Sequence, residues 1–364
     1  MKYFLILAAL LSLAACNKSG PGGTATGPGG GECRLTARFD APVTRVAGPS
    51  PVDEKTIRNV QVFVFRAGDG GDKGALDMAA SAGFDRPLDV TAGAYDGLTL
   101  RCSAGRREVW AVVNDAEDHT AGADAVRSKA EFLALTHDLA NSTASCLLMV
   151  GHVNPDAADP AILLVEGTMQ VTVPVHRLAA SVVLESVKNE FSAPAYQRKD
   201  LFRLDAAYLL NVPGRIDLGE QGGAAALPAE RWYARMAAET AGPCAALLYD
   251  DLSGELLQYG ASHASSHTFY AYPNECVSRT DAVFCPRATL LVLEASIRDG
   301  GSWVKYYYPV ALDGGLQANK RYRVNLTVHR PGSTDPNIPV AFSDLTPVIS
   351  VSDWDDGATY SPEI

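Results

Sequence analysis

The stretch from Cys33 to Arg45 alternates with a period of two, which only an extended strand with one covered face can satisfy. Cys33, Leu35, Ala37, Phe39, Ala41 and Val43 fall on one side, and Arg34, Thr36, Arg38, Asp40, Pro42 and Thr44 on the other. Pro42 has no N–H to give a ladder, so it restricts the segment to a sheet edge or places a strand end there. The following Val46-Ala-Gly-Pro-Ser-Pro-Val-Asp-Glu is rich in turn formers and predicts an exposed loop. The chain therefore starts its folded part with a strand that could be detached, followed by a loop carrying Arg45.

Strand patterns dominate the chain from Ile57 onward. Val60–Phe65 is apolar on both faces and predicts a central strand, as does 107–114. Gly68–Gly74 reads as a hairpin loop, and 89–101 as strand-turn-strand. Leu147–Gly151 and the alternating Met169–Val175 predict further strands, with one helix over 125–139. A fresh series of strands begins after His176-Arg177-Leu178, at 179–187, 201–211, 268–272, 289–298, 303–310, 322–329 and 348–354. Between them, 213–262 reads as loop with a short helix near 229–238. The pattern predicts an all-β chain of two sandwiches in tandem, 46–175 and 176–364, with a few short helices.

Ahead of these, Met1-Lys2, the apolar run Phe4–Leu13 and Leu13-Ala14-Ala15-Cys16 have the layout of a signal peptide over 1–16. Leu-Ala-Ala-Cys resembles the lipobox of bacterial lipoproteins, which implies that Cys16 is lipidated, an acyl chain such as palmitate included. Residues 17–32 hold mostly Gly, Ser, Thr and Pro and predict a flexible tether. Beyond Cys16 there are six cysteines, Cys33, Cys102, Cys146, Cys244, Cys276 and Cys285, which export would allow to oxidise. Spacing does not choose among their pairings. Cys276 with Cys285, across a short polar loop, is the first pair to consider.

The 364 residues carry a net charge of -11, against a nucleic-acid partner, which would require a basic patch. No zinc spacing, nucleophile elbow, Walker loop or H-E-x-x-H is present, so neither a metal, a cofactor nor a catalytic residue is expected. His263 and His267 are four apart, but their segment reads as a polar loop leading into a strand. Tyr306–Tyr308 could stack on a sugar, although such runs more often divide between core and surface.

The order of motifs resembles the fimbrillins of Bacteroidia, the FimA-type and related subunits of type V pili. The resemblance rests on Leu13–Cys16, Thr44-Arg45-Val-Ala-Gly, Ile57–Phe65, Cys102–Asn114, His176–Val182, Phe269–Asn274 and the stretch from Asn319 to Trp354. It implies two transthyretin-like sandwiches in an outer-membrane lipoprotein that is later built into a cell-surface fimbrium supporting adhesion. It further implies cleavage by an arginine-specific protease after Arg45, with Arg38 as runner-up, and removal of the strand bearing Leu35, Ala37, Phe39, Ala41 and Val43. The groove so opened would receive a C-terminal strand, here Val348, Ile349, Val351, Trp354 and Tyr360, from another copy or a related subunit. An anchor, accessory or tip subunit is the first alternative, and a surface glycan-binding lipoprotein the second.

Overall fold

The computed structural model describes residues 31–40, 54, 56–88, 94–219, 223–234, 244–265, 267–277, 287–312, 315–338 and 345–354. Strands β1 (Glu32–Asp40), β2 (Val60–Arg66), β3 (Leu76–Ala82), β4 (Ala94–Ser103) and β5 (Gly105–Val113) come first. Beyond the helical turn α1 (Lys129–Leu133) lie β6 (Thr136–Asp138), β7 (Met149–His152), β8 (Ile162–Leu164), β9 (Gly167–Pro174) and β10 (His176–Arg177). The later series comprises β11 (Ala180–Asn189), β12 (Phe202–Leu210), β13 (Val212–Pro213), β14 (Arg215–Asp217) and β15 (Trp232–Tyr233). It continues through the short helix α2 (Ala245–Leu248), β16 (Tyr249–Leu256), β17 (Ser262–Ala264) and β18 (Thr268–Ala271). Last come β19 (Leu290–Asp299), β20 (Ser302–Ala311), β21 (Lys320–Val328) and β22 (Leu345–Asp353).

Four sheets carry the architecture, which is all-β as the strand patterns predict. A three-stranded sheet, β4-β1-β9, faces the sheet β10-β7-β5-β2-β3, to which β8 adds on β5. Val60, Val62 and Val64 of β2 point into the core between them, together with Val109, Ala111 and Val113 of β5. Phe63 and Phe65 point the other way, into a second core that includes the later sheets. This is why β2 is apolar on both faces: its sheet is covered on both sides. The second core lies between β17-β11-β21-β22, with β18 also on β11, and β16-β12-β19-β20. Short pairings such as β6 with β14 join the early and late parts of the chain. The described residues belong to one compact unit.

Several expectations need correction. The helix expected over 125–139 is only the five residues of α1, capped by the Ser128 side chain, which accepts from the Glu131 N–H at 3.2 Å. Phe132 anchors it against Phe63, Phe65 and Trp110, and at Thr136 the chain leaves the helix to pair with β14. Tertiary pairing outweighs the weak helical periodicity. The helix near 229–238 is a single 3-10 turn, Ala229–Arg231, running into β15. The strand-turn-strand expected over 89–101 contains one long strand, β4, over its described part. Strand β16 lies inside the region read as loop, and β3 is a further strand that the patterns did not predict. Both sit at sheet edges, where Asp, Ser, Gly and Ala are tolerated and little apolar signal is needed.

Gly151 shows how closely the opposed sheets approach. A methyl group on it would lie 1.9 Å from the Pro174 carbonyl oxygen, at the end of β9. Gly151→Ala should therefore destabilise the protein by about 1–3 kcal/mol in urea unfolding, whereas Gly68→Ala, with nothing within 4 Å, should stay within about 0.5 kcal/mol.

Candidate functional site: the first strand and its groove

Strand β1 is central in its sheet. It pairs antiparallel with β4, Leu35 opposite Leu100, and parallel with β9, Leu35 opposite Met169. Of the two positions that Pro42 permits, a sheet edge is not the one found, since β1 lies between β4 and β9, and Pro42 itself is outside the described residues. Among the described residues β4 and β9 have no other ladder partner. Removing β1 would thus strip a whole row of hydrogen bonds from each neighbour and leave a slot bounded by two open edges.

The inward face fits the period-two reading. Cys33, Leu35, Ala37 and Phe39 are each 0% exposed and belong to the core with Leu98, Leu100, Val109 and Val173. Burying Leu35 and Phe39 contributes about 1.5–3 kcal/mol each, with less from Cys33 and Ala37. That sum is a large share of the 5–15 kcal/mol or so that stabilises an ordinary domain.

The outward face is held more weakly. Thr36 and Thr99 hydroxyls meet at 3.2 Å, and Glu32 pairs with Arg101 at 3.5 Å across an exposed surface. Arg34 stands directly opposite Arg101, a like-charge pairing that opposes the ladder. The bond between β1 and its sheet therefore resides in the buried apolar side chains and the backbone.

Arg38 lies within β1, half-buried and in register with Thr172, so a protease could reach it only after local opening. Ala41, Val43 and Arg45 lie outside the described residues, as does Cys16. The turn-rich segment after Arg45 was expected to be an exposed loop, and its final residue corrects that. Glu54 is 7% exposed. Its carboxylate accepts hydrogen bonds from Arg321 at 2.7 Å, the Tyr270 hydroxyl at 2.6 Å and the Trp354 indole N–H at 2.9 Å. Its carbonyl accepts from Arg177 at 3.0 Å. Burial, and then the Glu54 charge, push the Tyr270 phenol far above its ordinary value, so it remains a donor. Nothing in a Pro-rich, turn-forming context signals that its last carboxylate is the buried counter-ion of Arg321.

The C-terminal candidates divide. Among the described residues strand β22 is an edge strand bound on one side, antiparallel to β21. Val348 is 60% exposed, while Ile349 and Val351 are half-buried against the second core. Trp354 is 0% exposed. It stacks on Tyr270 with centroids 5.8 Å apart, and the Arg177 and Arg321 guanidiniums lie over its ring at 4.8 and 5.4 Å. Tyr360 is outside the described residues.

The remaining candidates are brought to no common site. His263 pairs with Glu255 at 2.8 Å and His267 approaches Asp250 at 3.6 Å, on a strand and a loop rather than one helix face. Among the described residues no three His, Cys, Asp or Glu side chains gather as a metal site would require. Tyr308 is core, and Tyr306 and Tyr307 are half-buried. Cys276 carries a free thiol, and Cys285 lies outside the described residues.

No family model matches the chain, and no curated protein matches it. Solved structures do. A candidate cell adhesion protein from Bacteroides eggerthii superposes with a TM-score of 0.60 at 21% identity, over 89% of this chain and 97% of that one. A fimbrilin, FimA, from Porphyromonas gingivalis gives 0.58 at 17% identity, over 88% and 97%. The chain has the fimbrilin fold. A candidate cell adhesion protein from Parabacteroides distasonis, at 0.56 and 17% identity over 89% and 100%, shares that fold.

The two faces of β1 give a direct test of what holds it. Phe39→Ala should lower unfolding stability by about 3–5 kcal/mol, and Arg34→Ala on the outer face should change it by no more than about 0.5 kcal/mol. Glu54→Ala, which leaves the buried Arg321 guanidinium without its carboxylate, should cost about 3–5 kcal/mol in the same assay.

Proposed function

We propose that the protein is a structural subunit of a type V fimbria, with no catalytic role, that polymerises by donor-strand exchange and supports adhesion. In this reading it is exported as an outer-membrane lipoprotein on Cys16 and cut after Arg45 by an arginine-specific protease. The bodies 46–175 and 176–364 are its two transthyretin-like units. The observation that carries the reading is that β1 alone supplies the ladder partner of both β4 and β9, among the described residues, while its own C-terminal end leads into the segment bearing Arg45. A subunit emptied of β1 needs another strand with alternating apolar side chains, which is what β-strand addition provides.

The donor would come from the segment Val348–Tyr360 of another copy or a related subunit. Support comes from β22, which among the described residues is held by a single ladder and has an exposed Val348. Donation from one chain to the next is heterologous and does not close, so it builds a filament. Burial of Glu54 supports the same scheme, because it ties the chain beyond the cut to the body through Arg177 and Arg321.

One observation favours a second reading. Trp354 is enclosed by Tyr270, Arg177 and Arg321, and withdrawing it would cost the body a large aromatic contact. A tip, accessory or anchor subunit that keeps its last strand at home accounts for that burial.

Brief trypsin treatment of the purified full chain separates the readings. The stalk reading predicts loss of the N-terminal segment followed by ladders or filaments in electron micrographs. A cut protein that takes up a separate donor peptide but never polymerises would favour the terminal subunit. A cut protein that does neither would contradict strand exchange.

A further inference from the structure

The register of β1 sets two cysteines opposite each other. Cys33 stands directly across from Cys102 of β4. The Ala104 N–H donates to the Gly31 carbonyl at 2.8 Å, so the 31/104 pair, and by alternation the 33/102 pair, is of the mutually hydrogen-bonded type. In such a pair the Cα atoms lie about 5.5 Å apart, inside the span of roughly 4.4–6.8 Å that a disulfide bridges. Both are free thiols in this structure and point into the same core, at 0% and 5% exposure, with the Cys102 thiol donating to the Cys33 carbonyl oxygen at 3.6 Å. Among the described residues this is the only cysteine pair that a strand ladder brings opposite.

We infer that Cys33 and Cys102 form a cross-strand disulfide when the chain folds under oxidising conditions, and that this bond keeps β1 on β4 after the backbone behind β1 has been cut. The oxidant is a disulfide of the thiol–disulfide oxidoreductase or glutathione class. One cysteine thiolate attacks that disulfide and displaces one of its sulfurs as a thiolate, giving a mixed disulfide. The second cysteine then attacks the sulfur of the first and releases the oxidant's other sulfur. The pair has then lost two electrons and two protons, and the oxidant has become two thiols. The bond has to form before β1 settles, because burial, with Cys33 alongside, pushes the Cys102 thiol up to about 12 in the folded protein and leaves almost no thiolate to react.

The consequence rests on the strand-exchange reading. An oxidised subunit could be cut without being emptied, and would accept no donor strand until a reductant reached the bond. Reduced subunits would extend a polymer, and oxidised ones would remain closed at the groove.

The test refolds the reduced, denatured full chain in two buffers, one of oxidised and reduced glutathione and one of dithiothreitol. Free thiols are alkylated, and peptides are mapped by mass without reduction. The Cys33 and Cys102 peptides should be recovered joined from the glutathione sample and separately alkylated from the other. Recovery of both as separately alkylated peptides from the glutathione sample would overturn the inference. After limited trypsin cleavage, the oxidised protein should hold its N-terminal segment on a non-reducing gel and release it with dithiothreitol. Cys102→Ala should release it without reductant, and the wild-type peptide map stands even if that variant folds poorly. Reduced, cut protein that neither polymerises nor accepts a donor peptide would contradict strand exchange while leaving a mapped disulfide intact.

Discussion

Both ladders of the three-stranded sheet pass through β1, and the integrity of that sheet depends on it. A strand at an edge can leave at the cost of one row of hydrogen bonds. A strand between two others, with Cys33, Leu35, Ala37 and Phe39 wholly buried, leaves a slot with two unsatisfied edges and an apolar floor. Such a slot is too costly to stay open in water, which makes it selective for a segment that can offer backbone groups on both sides and apolar residues at every second position. A replacement running in the same direction as β1 would lie antiparallel to β4 and parallel to β9.

What must stay behind is as well defined as what could leave. Glu54 gathers Arg177, Tyr270, Arg321 and Trp354 around itself at the junction between the earlier and later sheets. Burying a charge is tolerable only when its partners are all in place. The cluster therefore resists partial loosening and holds together residues from near the start, middle and end of the chain. The β6–β14 pairing and the buried contact of His137 with the Tyr272 hydroxyl at 2.7 Å add to that stiffness. A body held together in this way would let one strand be replaced without unfolding the rest, as the proposed exchange requires.

Much of the fold was legible in the amino-acid sequence because strands covered on one or both faces write their environment into alternation. β2 announces burial on both sides through Val60–Phe65, and β1 announces one inner face. Edge strands β3 and β16 write almost nothing, since Leu76–Ala82 is mostly small residues and Tyr249–Leu256 mostly polar ones. Long-range partners are invisible to local pattern: the Glu54 cluster joins residues some three hundred positions apart, from Glu54 to Trp354. The opposition of Cys33 and Cys102 likewise depends on register, which spacing alone cannot give. Arg45 follows the first strand closely in the sequence, but local pattern does not set it apart from any other arginine.

The most direct measurement is the N-terminal residue of the protein recovered from the surface of cells that produce it. Strand exchange predicts a chain beginning at Val46, without Glu32–Asp40, in assemblies held by a neighbour's strand. Assemblies whose subunits all still begin at an acylated Cys16 and retain Glu32–Asp40 would contradict the claim that the first strand is vacated.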